Sequence, residues 1–136
     1  MYQLEVVTPK GIVFQGEVEQ TVINTSDGEI GILENHMLLL TNVVPGKLRI
    51  ERPEEEPVEL AVTYGTIDVR GDRVIVLVEE AFEFGEINVE QEKRTLEEAV
   101  AKLEQKETLS LEEIENFERL KERAEVLLEL AGVKVR

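Results

Sequence analysis

The sequence of 136 residues has no cysteine, no tryptophan and a single histidine, His36. Without cysteine, the chain cannot form a disulfide, use a thiol nucleophile or hold a metal through cysteine. One histidine excludes metal sites built from several histidines and leaves little room for general acid–base chemistry. Aromatic residues make up only 4% of the chain, which disfavours a surface on which sugars or single-stranded nucleic acid stack. These absences point away from an enzyme.

The chain also has few basic side chains for its many acidic ones. It carries 15 lysines and arginines against 30 aspartates and glutamates, a formal net charge of −15. That charge disfavours nucleic acid and anionic lipid as partners. Of the acidic residues 27 are glutamate, which suits helices and solvated faces rather than a metal cage. No apolar run approaches the roughly 20 residues of a membrane helix, and no signal peptide follows Met1, so we expect a cytosolic, soluble protein.

The first part of the chain reads as short strands. All 4 prolines lie there, Gly71-Asp72 between two apolar runs predicts a two-residue hairpin turn, and residues 53–57 predict an exposed hairpin loop. The nearly continuous apolar run at 73–78 predicts a buried strand. Many short strands separated by turns predict a β-sandwich or a barrel, and of these we favour an antiparallel β-sandwich over residues 1–85. The predicted strands are 2–7, 17–25, 48–50, 58–62, 66–69 and 73–78.

Residues 86–136 change to a helical period. Asn88 is a plausible N-cap for a first helix, whose apolar stripe is formed by Leu96, Ala99, Val100 and Leu103. The short link at 107–109 favours an antiparallel pair of helices. We expect this two-helix hairpin to need cover from the sheet domain or from another chain, because its apolar stripes cannot cover each other completely.

The second helix is marked at both ends. Ser110 and Glu113 form the pattern of a capping box, and Gly132 fits the position after the helix where a positive φ is needed. Its predicted apolar face is a longer list: Leu111, Ile114, Phe117, Leu120, Ala124, Leu127, Leu128 and Ala131.

Motifs that would carry chemistry are missing. Gly28-x-x-Gly31 lacks the ending of a phosphate-binding loop, and the acidic residues around it lack the spacing of a calcium loop. We expect no catalytic residue, no metal and no cofactor. The segment 27–41 is unusual because glycines and a long apolar run follow each other directly. It predicts either a turn with a buried strand, or a shaped surface loop that grips another subunit.

That segment resembles the epsilon subunit of the rotary ATP synthase, called delta in mitochondria. The family runs Gly-x-x-Gly-Ile-x-x-x-His-x-x-Leu-Leu and then Pro-Gly. The matching positions here are Gly28, Gly31, Ile32, His36, Leu39, Leu40, Pro45 and Gly46. The stretches 4–9 and 64–69 are also similar to the family, so the resemblance spans the chain. One departure is that Glu34-Asn35 replace the Pro-Gly that usually precedes the histidine.

The resemblance implies a non-catalytic rotor subunit of the central stalk. Its partners would be the gamma subunit, the c-ring subunits and, through the helices, the alpha and beta subunits of the catalytic head, where it would inhibit ATP hydrolysis. It would be peripheral at the cytoplasmic face of the cell membrane, as part of the complex; proton and sodium coupling stay open. The implied contacts with gamma and the c ring are Asp27, Gly28, Glu29, Gly31 and His36. The implied regulatory contacts on the second helix are Arg119, Lys121 and Arg123.

Nucleotide sensing by the helices is disfavoured. Family members that bind ATP carry a sequence similar to Ile-Asp-x-x-Arg-Ala at the start of the first helix. The corresponding residues 87–92 of this chain are Ile-Asn-Val-Glu-Gln-Glu. A later pair of arginines falls on Arg123 and Leu127, so nucleotide binding would rest on Arg123 alone, and Glu92 would repel phosphate. A nucleotide-sensing regulator is one alternative, and a small ligand-binding β-sandwich is an alternative from another class.

Overall fold

The structure is a computed structural model that describes residues 1–135, and it divides into two compact units, Met1–Phe84 and Gly85–Arg136. The first unit consists of ten strands. Their bounds are β1 Tyr2–Thr8, β2 Gly11–Val18, β3 Gln20–Thr25, β4 Gly28–Leu33, β5 Leu39–Val43, β6 Gly46–Glu51, β7 Val58–Val62, β8 Gly65–Val69, β9 Arg73–Val78 and β10 Ala81–Phe82.

The strands form one continuous set of pairings that folds into the predicted sandwich. Nine strands follow the order β10-β7-β6-β3-β5-β8-β9-β1-β2, and β4 pairs with β3 beside this path. Every pairing is antiparallel except that of β1 with β9, which is parallel. The inward faces form a core of 16 buried residues, almost all aliphatic.

Two strand predictions were wrong in detail. The predicted strand 17–25 is two strands, because β2 ends at Val18 and β3 begins at Gln20. The run 73–78 is buried on one face only: Val74, Val76 and Val78 are buried, whereas Leu77 is exposed. Successive side chains of a strand point to opposite faces, so a continuous apolar run does not by itself mean that both faces are covered.

The predicted turn between β8 and β9 is confirmed. The Arg70 N–H donates to the Arg73 carbonyl at 2.8 Å, which leaves Gly71 and Asp72 as a two-residue loop. Gly71 has a φ of +77°, as the first position of a type II′ turn requires. The turn matches the right-handed twist of the strands, and therefore fixes their register.

The second unit contains the two predicted helices, α1 (Val89–Leu103) and α2 (Leu111–Leu130), with a 3-10 turn at Lys106–Thr108 between them. The Asn88 side chain accepts the Gln91 N–H at 3.1 Å. Ser110 accepts the Glu113 N–H at 3.1 Å, and the Glu113 carboxylate accepts the Ser110 N–H at 3.0 Å. These bonds satisfy donors that a helix start leaves open, so both predicted N-caps are confirmed.

The end of α2 is a Schellman motif. Gly132 has a φ of +88°, and its N–H donates to the Glu129 carbonyl at 3.0 Å, while the Val133 N–H donates to the Leu128 carbonyl at 2.9 Å. The predicted role of Gly132 is confirmed. No helix within residues 1–135 has both the length and the apolar character needed to cross a bilayer.

The apolar faces of the helices are narrower than predicted. Leu111 is exposed although the periodicity placed it on the apolar face of α2. Helical side chains lean toward the preceding turn, and Leu111 is the first residue of its helix, so it has no preceding turn to cover. Val100 of α1 is also exposed.

Candidate functional site

Three of the predicted contact residues lie together at the tip of the β3–β4 hairpin. The Thr25 hydroxyl accepts the Asp27 N–H at 3.2 Å and donates to the Gly28 carbonyl at 2.8 Å. Gly28 has a φ of +112°, a conformation that favours glycine. This geometry leaves Asp27, Gly28 and Glu29 exposed, with two carboxylates at one end of β4.

The exposed face of β4 continues from this tip. Glu29, Gly31 and Leu33 are exposed, whereas Ile32 is buried in the core. Since alternate residues of a strand share a face, the three exposed residues form one row. The row is exposed and therefore open to a partner. Within residues 1–135 β4 pairs only with β3, so its other edge has no neighbouring strand.

His36 lies beyond the other end of β4. The backbone N–H of His36 donates to the Leu33 carbonyl at 3.2 Å, and Asn35 takes a φ of 61° in the same turn. Its Nδ1 is 2.9 Å from the Met37 carbonyl oxygen, and because that carbonyl can only accept, the contact is a hydrogen bond when Nδ1 carries the proton. The four steps from Glu29 to Leu33 span about 13 Å, so Glu29 and His36 flank the strand and do not meet.

Exposed apolar side chains follow β4. Leu33, Met37, Leu38 and Leu40 all face solvent, and Met37 and Leu38 are 82% and 77% exposed. The sequence reading of this run as a turn and a buried strand was therefore wrong for these side chains, and the alternative reading as a surface loop agrees with their exposure. Exposed apolar side chains concentrated in so short a segment are typical of interaction surfaces. We call Glu29, Gly31, Leu33, Met37, Leu38 and Leu40 the β4 surface.

The three basic residues predicted on α2 do not share a face. Successive helical residues are about 100° apart, so Lys121 lies about 200° around the helix from Arg119, whereas Arg123 lies about 40° from it. Arg119 is exposed and Lys121 half-buried. A single flat partner surface could therefore reach Arg119 and not Lys121.

The side chain of Arg123 contacts α1 within the helical unit. Its Nη1 donates to Oε1 of Glu92 at 2.7 Å, and the side chains are 16% and 8% exposed. Glu92 was not predicted to be a structural residue, although one signal was available: it lies four residues before Leu96 and continues the apolar stripe of α1. A carboxylate at a stripe position calls for a basic partner on the facing helix, because a charge is costly to bury alone.

Metal and cofactor sites need several suitable side chains in one place. Within residues 1–135, no three histidine, cysteine, aspartate or glutamate side chains are grouped so that they could hold a metal ion. The surfaces described above consist of exposed residues with few convergent polar groups. They are suited to contact other proteins rather than to transform a small molecule.

The chain is a small β-sandwich followed by a helical hairpin, with exposed acidic and apolar side chains on and beside β4. This arrangement is typical of a subunit that contacts other proteins in an assembly. Residues 1–84 match the family model described as "ATP synthase, Delta/Epsilon chain, beta-sandwich domain". The chain belongs to the delta/epsilon chain family of ATP synthase subunits.

Relatives match the chain along its whole length. It is 84% identical to the ATP synthase epsilon chain of Persephonella marina over 136 residues, which are all of both chains. It is 64% identical to the epsilon chain of a Sulfurihydrogenibium species, and the alignment covers 99% of this chain and 100% of the relative. The match therefore includes both the sandwich and the helices.

Solved structures show the same fold. A chain in the structure of the Euglena gracilis mitochondrial ATP synthase with its c-ring has a TM-score of 0.67 at 25% identity, covering 96% of this chain and 77% of that one. A chain in the central stalk and c-ring structure of the Tetrahymena thermophila enzyme has a TM-score of 0.56 at 16% identity, covering 64% and 69%. The second likeness shows the fold alone.

Proposed function

We propose that the chain is a non-catalytic rotor subunit of a rotary ATP synthase, which joins the gamma subunit to the c ring in the central stalk. The observation that carries this proposal is the end-to-end match, at 84% identity, to a chain named ATP synthase epsilon chain. The Euglena neighbour supports it, since that chain comes from an assembly that contains the c-ring. The subunit itself catalyses no chemical reaction, and its task is mechanical.

The sandwich suits a part that transmits torque. Its strands are tied by hydrogen bonds along every pairing, and its core is closely filled with aliphatic side chains. Interiors packed in this way resist compression and transmit strain, whereas a flexible linker would absorb it. The subunit would be held at the cytoplasmic face of the membrane by its partners.

The β4 surface is the part that we assign to the c ring. Exposed leucine and methionine side chains would pack against apolar groups of the ring, and Glu29 at the other end of the strand would meet a basic group. Such complementary charges set orientation and register more than affinity. The net negative charge of the sandwich unit also favours a basic partner, because residues 1–84 hold 16 acidic and 6 basic side chains.

The helical hairpin is the part that we assign to regulation of ATP hydrolysis. α2 presents Arg119 to solvent among several glutamates, and the catalytic head would be its partner. A nucleotide-sensing role has no support from the geometry, because Arg123, the one candidate for phosphate, lies against Glu92. The alternative of a ligand-binding sandwich is not favoured by any observation.

Co-purification tests the proposed function. The chain carrying a C-terminal affinity tag is expressed in its own cells, the membranes are solubilised in mild detergent, and the captured proteins are identified by mass spectrometry. We expect gamma and c subunits in amounts comparable to the tagged chain, together with alpha and beta. Capture of the chain without any ATP synthase subunit would contradict the proposal.

A further inference from the structure

The helix α1 contributes few buried side chains to the hairpin. Of its 15 residues only Glu92 and Ala99 are buried, whereas α2 buries Ala124, Leu127 and Leu128. The side chain that α1 buries nearest its start is therefore a carboxylate. An apolar seam alone leaves the register of two helices loosely defined when it is this small, because a shift by one turn changes little apolar contact.

The Glu92–Arg123 pair defines that register. The two residues are 31 positions apart in the chain, and their side chains meet at 2.7 Å with most of their surface covered. In an antiparallel pair, this contact also sets which residues stand opposite each other along both helices. A shift by one turn would separate the charges and leave each of them buried without its partner, which is strongly unfavourable.

We propose that the Glu92–Arg123 ion pair is an electrostatic latch, which holds α1 against α2 in a single register and is the contact that must break before the hairpin can open. The latch is built from this chain alone. When the helices separate, both charges regain water, and this hydration offsets part of the attraction that is lost when the pair breaks.

The inference is independent of the partners proposed above, because it concerns the isolated chain. Because the chain has no cysteine of its own, two spin labels can be attached specifically through Glu98→Cys on α1 and Asn116→Cys on α2, both exposed positions. Pulsed electron resonance then gives the distribution of distances between the helices. The latch variant is Glu92→Gln, which removes the charge and keeps the shape.

Two further variants serve as controls. Glu97→Gln removes an exposed carboxylate from the same helix, and the exchange Glu92→Arg with Arg123→Glu restores an ion pair with reversed polarity. We expect one narrow distance for the unmodified chain and for Glu97→Gln. Glu92→Gln should add a second, longer and broader population, and the exchange should remove most of it.

Hydrogen exchange of the Glu92→Gln variant provides a second measurement. It does not depend on whether the variant with the two charges swapped folds well. The amides of α1 should exchange more than about tenfold faster in Glu92→Gln than in the unmodified chain, because the latch opens more often. Unchanged amide exchange together with an unchanged distance distribution in Glu92→Gln would overturn the proposal. The proposal would also be overturned if the variant with Glu92→Arg and Arg123→Glu folded but kept its helices as far apart as Glu92→Gln does.

Discussion

The hydroxyl of Tyr2 lies 2.9 Å from the carbonyl oxygen of Ile32, and this buried contact ties the first residue of β1 to the strand that carries the β4 surface. The same hydroxyl is 2.6 Å from the Thr21 hydroxyl. Since the carbonyl can only accept, Tyr2 donates to Ile32 and Thr21 donates to Tyr2. β4 has one neighbouring strand within the described residues, so this bond adds a second attachment to it.

Tyr2→Phe is expected to lower the free energy of unfolding by about 1–3 kcal/mol, because it leaves buried polar groups on Thr21 and Ile32 without their partner. The change should be measured by urea unfolding at neutral pH. Hydrogen exchange should show the loss most clearly at the amides of β4. A variant as stable as the unmodified chain would show that the bond contributes nothing.

The stability that the Tyr2 hydroxyl contributes should depend on pH. Burial raises the pKa of Tyr2 above its ordinary value, and the hydrogen bond with Thr21 opposes this effect more weakly. Above about pH 10, where an unfolded tyrosine ionises, the folded state therefore holds the proton more tightly than the unfolded state. The stability that Tyr2 contributes is complete below that pH and is lost as the pH rises toward the folded pKa. The stability difference between the unmodified chain and Tyr2→Phe should therefore shrink in alkaline solution.

Gly65→Ala should destabilise the sandwich by about 3 kcal/mol or more. A Cβ at Gly65 would lie 1.8 Å from the backbone oxygen of Leu77, and a backbone atom of β9 cannot move aside as a flexible side chain would. Gly85→Ala is the matched control, since a Cβ there meets nothing within 4 Å. Thermal unfolding of both variants checks the difference, and equal melting temperatures would contradict the close approach of β8 and β9.

The helical unit was predicted more accurately than the sandwich, and the reason is physical. Asn88, Ser110 and Gly132 act on backbone groups within a few residues of themselves, so a local sequence pattern is enough to find the ends of both helices. The break between β2 and β3 depends on a distant strand: the Glu19 N–H donates to the Glu51 carbonyl at 2.7 Å. Local patterns contain no information on such a pairing.

The candidate site shows the same limit. Resemblance drew attention to Glu29 and His36, but a continuous apolar run has no period that would show which of its side chains face outward, so the exposure of Met37 and Leu38 appears only in the structure. The partner of Arg123 was equally hidden, because Glu92 is 31 positions away in the chain. Its place on the apolar stripe of α1 was the one available clue.

Glu29→Lys is expected to weaken assembly with the c ring, because it reverses the charge at the tip of the β3–β4 hairpin and would repel a basic partner. The variant should copurify with fewer c subunits and support less proton- or sodium-driven ATP synthesis in membrane vesicles. Glu56→Lys, in the exposed loop between β6 and β7, is the control with the same change of charge. If Glu29→Lys assembled and synthesised ATP as Glu56→Lys does, the charged contact at Glu29 would be wrong.

Removal of the residues after 86 should raise the rate of ATP hydrolysis by the assembled complex, because the hairpin is the part proposed to hinder it. Residues 1–84 form a compact unit with its own core, so the shortened chain should still copurify with gamma and the c subunits. The ATPase rate of the purified complex with full-length and shortened chains is the measurement. Hydrolysis at an unchanged rate in an intact complex would count against regulation by the hairpin.

Contact between the β4 surface and the c ring is the central claim, and one crosslinking measurement tests it most directly. Because the chain has no cysteine, Leu38→Cys supplies one thiol, which can carry a photoreactive benzophenone before the purified variant is assembled into the complex. Leu111→Cys, an exposed position on α2, is the control. We predict that illumination joins position 38, and not position 111, to a c subunit identified by mass spectrometry. A complex that is assembled and active, but in which position 38 crosslinks to no c subunit, would contradict the account.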